Sequence, residues 1–223
     1  MKIINPNFED GDFHLHSITY SDGMNSIDEI VQFAGKIGLK KIAITDHSQA
    51  TLSHYGFHPK TFRSLTRRWR NVHNGVEVIF GVEGDLLNQE GVVSAQIQNR
   101  ESDFLILSVH ESVYVGAPET INKAYIRALE KYHDKIKMLG HPCVRDFEEH
   151  LNIEMLVKLA NQYQIPVELN CANLVNQKTN LDNLGKMLKI CDTLYINSDA
   201  HTLWEMQEMR KVGIKYLQNK KYL

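Results

Sequence analysis

The sequence predicts one α/β domain around a parallel sheet, arranged either as a barrel or as a doubly wound layer. Three observations lead there. Seven short apolar segments alternate with helical ones along the 223 residues, the rhythm of successive βα units. Some of these segments are apolar on both faces, as strands of a buried parallel sheet are. Six of the seven also deliver a histidine, aspartate or glutamate at or just beyond their ends, where the strands of such a fold open onto one functional rim.

The strands are expected at 12–16, 41–45, 76–83, 104–110, 136–140, 166–170 and 193–197. Between them, residues 26–37 place Ile27, Ile30, Val31, Ala34 and Ile37 on one helical face. Ser26 with Glu29 makes a capping box at its start, and Gly38 stops it. Helix 119–132 follows Pro118, and helix 153–163 has Asn152 as its N-cap. Helices 181–190 and 203–212 complete the set, the last opening on a second capping box of Thr202 and Glu205. Residues 60–72, basic and irregular, are also expected to be helical. No linker, low-complexity tract or repeat interrupts the chain, so residues 1–223 read as one domain.

Composition narrows the partners. A net charge of -2 gives no global basic field for a long polyanion, so any phosphate recognition must be local and nucleic acid is not favoured. The N-terminal residues lack the charged-then-apolar pattern of a signal peptide. No apolar run approaches the roughly 20 residues that a membrane helix needs. Cys143, Cys171 and Cys191 form no CxxC pair and read as reduced, buried thiols of a cytoplasmic protein.

The strand ends carry the chemistry. His14 and His16, two residues apart on a strand, project from one face and suit chelation of a single cation. Asp46 and His47 follow the second strand, Glu83 the third, His110 the fourth and His141 the fifth. Asp199 and His201 follow the seventh. One histidine at a strand end is usually a satisfied structural residue; agreement of six strands is not chance. The imidazole and carboxylate mixture suits zinc, manganese or iron, and the absence of a cysteine set argues against a structural zinc or iron–sulfur site. Neighbouring cations repel unless an anion bridges them, a role open to Glu83.

The segment FHLHSITYSDGMNSIDEIVQFAGKIGLKKIAITDHS resembles the first two motifs of the PHP (polymerase and histidinol phosphatase) family, and GVEGDL, SVHES, LGHP and INSDAH resemble its later motifs in order. The resemblance runs from Asp12 to the C-terminus. It implies a distorted (β/α)7, TIM-like barrel with three divalent cations at the C-terminal mouth of its strands. By resemblance the nine ligands are His14, His16, Asp22, His47, Glu83, His110, His141, Asp199 and His201. His14, His16, Glu83 and Asp199 would hold one cation, and Glu83, His110 and His141 a second. Asp22, His47 and His201 would hold the third; the Asp22 position varies between His and Asp in the family. Glu83, Asp199 and His201 are the catalytic candidates.

The implied activity is hydrolysis of small phosphomonoesters, with a hydroxide bridging two cations as nucleophile and no covalent phosphoenzyme. A 3′–5′ exonuclease or other phosphodiesterase is the alternative, and a histidinol phosphatase a narrower one, without a recognisable histidinol pocket. A non-catalytic PHP module would have lost several ligands, and none is missing. Amidohydrolases share HxH, but TDH, GVEG and SDAH fit the PHP order better. Among the remaining residues, Arg145 is a candidate for a substrate phosphate. His54 and His58, on the loop leaving strand two, are candidates for substrate contact. Asp46 is expected to orient the loop or a ligand histidine by hydrogen bonding. The run Arg63, Arg67, Arg68, Trp69, Arg70 reads as a solvated helix face, Asn170 and Cys171 as pocket lining at most, and His73, His133 and His150 as surface residues.

Overall fold

The computed structural model describes residues 1–58 and 66–223. All seven expected strands form: β2 (Asp12–Leu15), β3 (Lys41–Ile44), β4 (Glu77–Leu86), β8 (Phe104–Ser108), β9 (Ile136–Leu139), β10 (Val167–Asn170) and β11 (Thr193–Asn197). Four two-residue strands accompany them: β1 (Lys2–Ile3), β5 (Val93–Ser94), β6 (Gln96–Ile97) and β7 (Arg100–Glu101). The main sheet runs β1-β11-β10-β9-β8-β4-β3-β2, with parallel neighbours throughout; β5 joins β4 antiparallel.

The sheet curls until its ends meet, which makes it a distorted (β/α)7 barrel. Leu15 bridges Ala200 in parallel, and His16 N donates to Ala200 O at 3.0 Å. Lower down, side chains replace the ladder. Asn197 Oδ1 accepts from Phe13 N at 3.1 Å. Asn5 donates to Gly11 O and Ile196 O and accepts from Ile196 N, so its amide imitates a strand peptide in the gap. Fully buried Arg210 donates to carbonyls of Asn5, Asn7, Phe8 and Ile196, satisfying backbone acceptors where the seam leaves them unpaired.

The helices lie between the strands: α1 (Ile27–Lys36), α2 (Gln49–Tyr55), α3 (Ile121–Tyr132), α4 (Ile153–Gln162), α5 (Cys171–Val175), α6 (Leu181–Ile190) and α7 (Leu203–Asn219). Both expected capping boxes are present, and Asn152 caps α4. Three expectations need correction. Helix 119–132 opens as a 3-10 turn, Pro118–Thr120, before α3 begins. Helix 203–212 continues to Asn219, because Gly213 gives close approach rather than a stop: a Cβ there would meet Cys171 Sγ at 2.3 Å. The loop expected to carry His54 is instead helical from Gln49 to Tyr55, capped by Ser48. The expected helix 60–72 lies partly outside the described residues; 66–68 are helical and 69–72 are not.

Two large apolar clusters sit between sheet and helices, one around α3, α4 and α6, the other around α1 and α2. A third, of Phe13, Ala43, Phe104, Ile106 and Met138, is small. Ile106 pairs with Glu83 on one side and Met138 on the other, so this cluster lies on the same sheet face as Glu83. It plugs the barrel below the mouth. Among the described residues no helix is long and apolar enough to cross a membrane.

Candidate metal centre at the barrel mouth

Nine side chains separated by up to 187 residues in sequence meet at the C-terminal ends of the strands, and Glu83 stands at their centre. Its carboxylate lies 3.4 Å from His14 Nε2, 3.6 Å from His16 Nε2, 2.9 Å from His47 Nδ1, 3.5 Å from His110 Nε2 and 2.8 Å from His141 Nε2. Glu83 does not end its strand as expected; β4 runs on to Leu86, so the carboxylate is held by a continuous, buried strand. Asp199 Oδ1 lies 3.5 Å from His14 Nε2 and 3.1 Å from His16 Nε2. Asp22, on the loop after β2, has Oδ1 3.4 Å from His47 Nε2 and 3.3 Å from His201 Nε2. His16 and His201 stack at 4.2 Å between ring centroids.

Two positions are held in backbone conformations that side chains rarely adopt, His141 at φ 29° and Asp199 at φ 56°. Such strain persists where the surroundings over-determine it, often at functional sites. Glycine makes room nearby: a Cβ on Gly140 would meet Ser108 Oγ at 2.2 Å.

The donor set fits divalent cations. Three groups, His16–Asp22–His47–His201, His14–His16–Asp199 and His47–Glu83–His110, each bring their donor atoms within 4.8 Å of one another. His14 Nε2, His47 Nδ1 and Glu83 Oε2 are buried without a hydrogen-bond partner among the described residues, although His47 Nδ1 and Glu83 Oε2 are only 2.9 Å apart. Acceptor atoms crowded together without proton-sharing geometry are what a cation would satisfy.

The electrostatics agree. Burial opposes charge on His14 and His47, but Glu168, Asp199 and Glu83 around the first, and Glu83 and Asp22 around the second, hold both pKa values well above the usual histidine range. His201 is pushed up to about 9, Asp22 and Asp199 outweighing its burial. His16 goes the other way, to about 3, through burial and the neighbouring His201 and His47. Burial works against the charge of Glu83 and Asp199 too, and the surrounding histidines hold both well below the carboxylate range. The site is an anionic well that collects positive charge.

Other side chains orient these groups. Asp46 Oδ1 accepts from Ser17 N and Ser21 Oγ, and its Oδ2 from Ser17 Oγ, so it fastens the loop carrying Asp22. Burial raises its pKa to about 6 against those bonds. Two carboxylates escaped sequence reading. Asp85 Oδ1 lies 2.6 Å from His110 Nδ1, with its Oδ2 held by Ser48 and Thr51. Glu168 Oε1 lies 2.9 Å from His14 Nδ1, and its Oε2 accepts from His141 N at 2.8 Å. Asn170 donates to Asp199 Oδ2. The signal available was the two-residue spacing that puts Asp85 on Glu83's face of β4 and Glu168 on Asn170's face of β10.

Above the nine groups opens a cavity of about 520 Å³, lined by all of them except His14 and His16 and also by Thr51, Tyr55, Ser112, Val144, Arg145, Asp146, Asn173, Gln177 and Lys178. Arg145 is therefore at the mouth, with Glu148 Oε1 4.0 Å away. His54 is not among the lining residues; it is exposed on α2 with its ring edge-on to Tyr55, which does line the cavity. His58 lines a neighbouring cavity that shares Asp22. Cys171 is fully buried with Sγ 3.8 Å from Leu169 O, and burial pushes its thiol pKa up; it is not at the mouth. Arg67 lies at the opposite end of the barrel, beside Val78 and Phe104 near the starts of β4 and β8. Trp69 is tied to Asp28 by its indole N–H.

A model of the PHP domain matches residues 12–164. The chain belongs to the PHP family. Among its PHP relatives, the DNA polymerase/3′-5′ exonuclease PolX of Bacillus subtilis is 32% identical over 92% of this chain, which spans 36% of that protein's length. A probable phosphatase of Clostridium botulinum is 24% identical over 90% of this chain and 82% of its own. The fold is shared with a histidinol phosphate phosphatase of Lactococcus lactis, crystallised with zinc, L-histidinol and phosphate, at a TM-score of 0.57 and 15% identity over 93% of both chains.

Proposed function

We propose that this PHP protein is a metal-dependent phosphoesterase that hydrolyses small phosphomonoesters. The observation that carries the reading is the mouth itself: an anionic well of nine metal-competent groups beneath a cavity of about 520 Å³, with Arg145 and Lys178 on one wall. That volume suits one small molecule. A net charge of -2, and the position of Arg67 at the far end of the barrel, leave a nucleic-acid strand without a track along the mouth; Arg63 of the basic run lies outside the described residues. The match to the C. botulinum probable phosphatase over most of both chains supports the same reading.

His14, His16, Asp22, His47, Glu83, His110, His141, Asp199 and His201 are proposed to hold three divalent cations, of zinc, manganese or iron. Glu83 and Asp199 would supply negative charge to offset the cations' mutual repulsion, and His201 with Asp22 would provide the outermost ligands. Bound cations neutralise the phosphate oxygens and make water nucleophilic near neutral pH. Water then supplies an oxygen to phosphorus, the ester P–O bond breaks, and the alcohol leaves with a proton. Arg145 is proposed to grip the phosphoryl oxygens with its guanidinium fork, and Lys178, which has no side-chain partner among the described residues, to add a second charge. The buried free thiols Cys143, Cys171 and Cys191 support a cytoplasmic location.

The separating experiment measures phosphate release from an aryl phosphate and nucleotide release from single-stranded DNA, both with added manganese. The monoester is expected to turn over faster; the reverse would make the protein a phosphodiesterase, the activity in the name of its PolX relative. Arg145→Ala should raise KM for the aryl phosphate about tenfold with a smaller change in kcat. An unchanged KM would remove Arg145 from the site. Asp85→Asn and Glu168→Gln should each weaken metal binding by about 10–100-fold, because His110 and His14 lose the carboxylate that fixes their orientation. Competition with a metallochromic chelator reads this directly, and wild-type affinity in either variant would reduce that carboxylate to a packing role.

A further inference from the structure

Asp22 forms a wall between two cavities of opposite character. On one side is the polar mouth. On the other is a cavity of about 450 Å³ lined by Ile18, Tyr20, Met24, Phe57 and His58, together with Ser21 and Gly23. Ile18 and Met24 are 61% and 70% exposed, large apolar side chains left open to water at the edge of a metal-competent site. Their loop is not free to fold over them. Gly23 packs so closely on the end of β2 that a Cβ would meet His16 O at 2.1 Å, Met24 N donates to His201 O at 2.7 Å, and Ile18 N donates to Asn25 O. Phe57 is fixed from the other side by its N–H to Leu52 O.

We infer that this second cavity is the subsite for the alcohol part of the substrate, and that it selects phosphate esters of aromatic alcohols over those of polyols. The inference rests on the phosphomonoesterase reading and adds the class of leaving group. An ester whose phosphoryl group lies over the metal-competent groups on the mouth side of Asp22 can pass its alcohol across that residue into the apolar side. A flat ring there covers Ile18, Met24 and Phe57, whereas a polyol would lose water from its hydroxyls against side chains that offer few partners. The opposite wall, with Arg145 and Lys178, is left to the phosphoryl group.

The test uses the full chain loaded with manganese and two non-hydrolysable probes, benzylphosphonate and methylphosphonate, with calorimetry as readout. Benzylphosphonate is expected to bind about tenfold or more tightly, the gain from moving one ring out of water. Met24→Gln and Ile18→Asn, at exposed positions where folding is not at stake, should each shrink that ratio, and the double variant should bring it near one. Equal binding of the two phosphonates by the wild-type protein, no binding of either, or a ratio that survives the double variant, would overturn the subsite. Turnover is judged separately: phenyl phosphate should be hydrolysed with a lower KM than glycerol phosphate. A benzyl preference that the variants abolish, in a protein that hydrolyses no ester, would leave the subsite standing and sink the phosphoesterase reading instead.

Discussion

Replacing Glu83 with glutamine is expected to lower kcat/KM for an aryl phosphate by about a thousandfold or more, equivalent to ~4 kcal/mol of lost transition-state stabilisation. The reason is position. Glu83 is 1% exposed and lies within 3.6 Å of five histidines, so in the proposed centre it is the carboxylate on which the cations would converge. Glutamine keeps the volume and the place in β4, which protects the packing of the Phe13, Ile106 and Met138 plug beneath it. It removes the charge and presents an amide N–H₂ toward imidazole nitrogens that should face metal. The variant should therefore fold, retain less metal by elemental analysis, and fail in turnover. Full metal content with full activity would show that the cations do not gather on Glu83. Loss of the fold in chelator, where wild type survives, would move Glu83's importance from chemistry to architecture.

The same residue shows how far the sequence could be read. The strand carrying it is visible as far as Glu83, because VEVIFGVE is mostly apolar and β-branched, but its continuation GDL looks like the start of a loop, with a glycine and an acid. Those features are the site: Glu83 and Asp85 face the mouth, and Gly84 allows the neighbouring strand to approach, since a Cβ there would meet Leu105 Cδ1 at 2.7 Å. Buried parallel strands announce themselves by composition, so all seven were legible, and so were donors standing at their ends. Asp85 and Glu168 were not, because a carboxylate that only braces a histidine carries no motif of its own. Helix α2 has one deeply buried leucine, Leu52, too little periodicity to separate it from a loop. The seam held by Asn5, Asn197 and Arg210 joins residues up to 205 apart, and no local pattern encodes such a closure.

Removing the metals with a chelator is expected to lower Tm by about 5–10 °C for each site emptied, because ions held at about 100 times their Kd stabilise by ~2.7 kcal/mol per site, and a domain of this size shifts by roughly 2–4 °C per kcal/mol. The loss should deepen as pH rises. In the metal-free protein, protons take the place of cations: His14, His47 and His141 have raised pKa values and His201 titrates at about 9. Unfolded histidine titrates near ~6.5, so between that value and the folded ones the folded chain binds more protons, and stability present at low pH is lost as pH climbs. His16, held down to about 3, works in the opposite sense, but only in acid and against four residues shifted upward. Glu83, Asp199 and Asp22 are lowered, so their contribution is complete above about pH 4–5 and is lost on acidification below it. With metal bound the histidines need no protons, and alkaline pH strengthens rather than weakens their grip. The gap between metal-loaded and chelated Tm should therefore widen from about pH 6 to about pH 9. Paired melting curves at three pH values measure it. A gap that stays constant or narrows would mean that the histidines at the mouth do not exchange protons for cations, and the anionic well would have to be explained as structure alone.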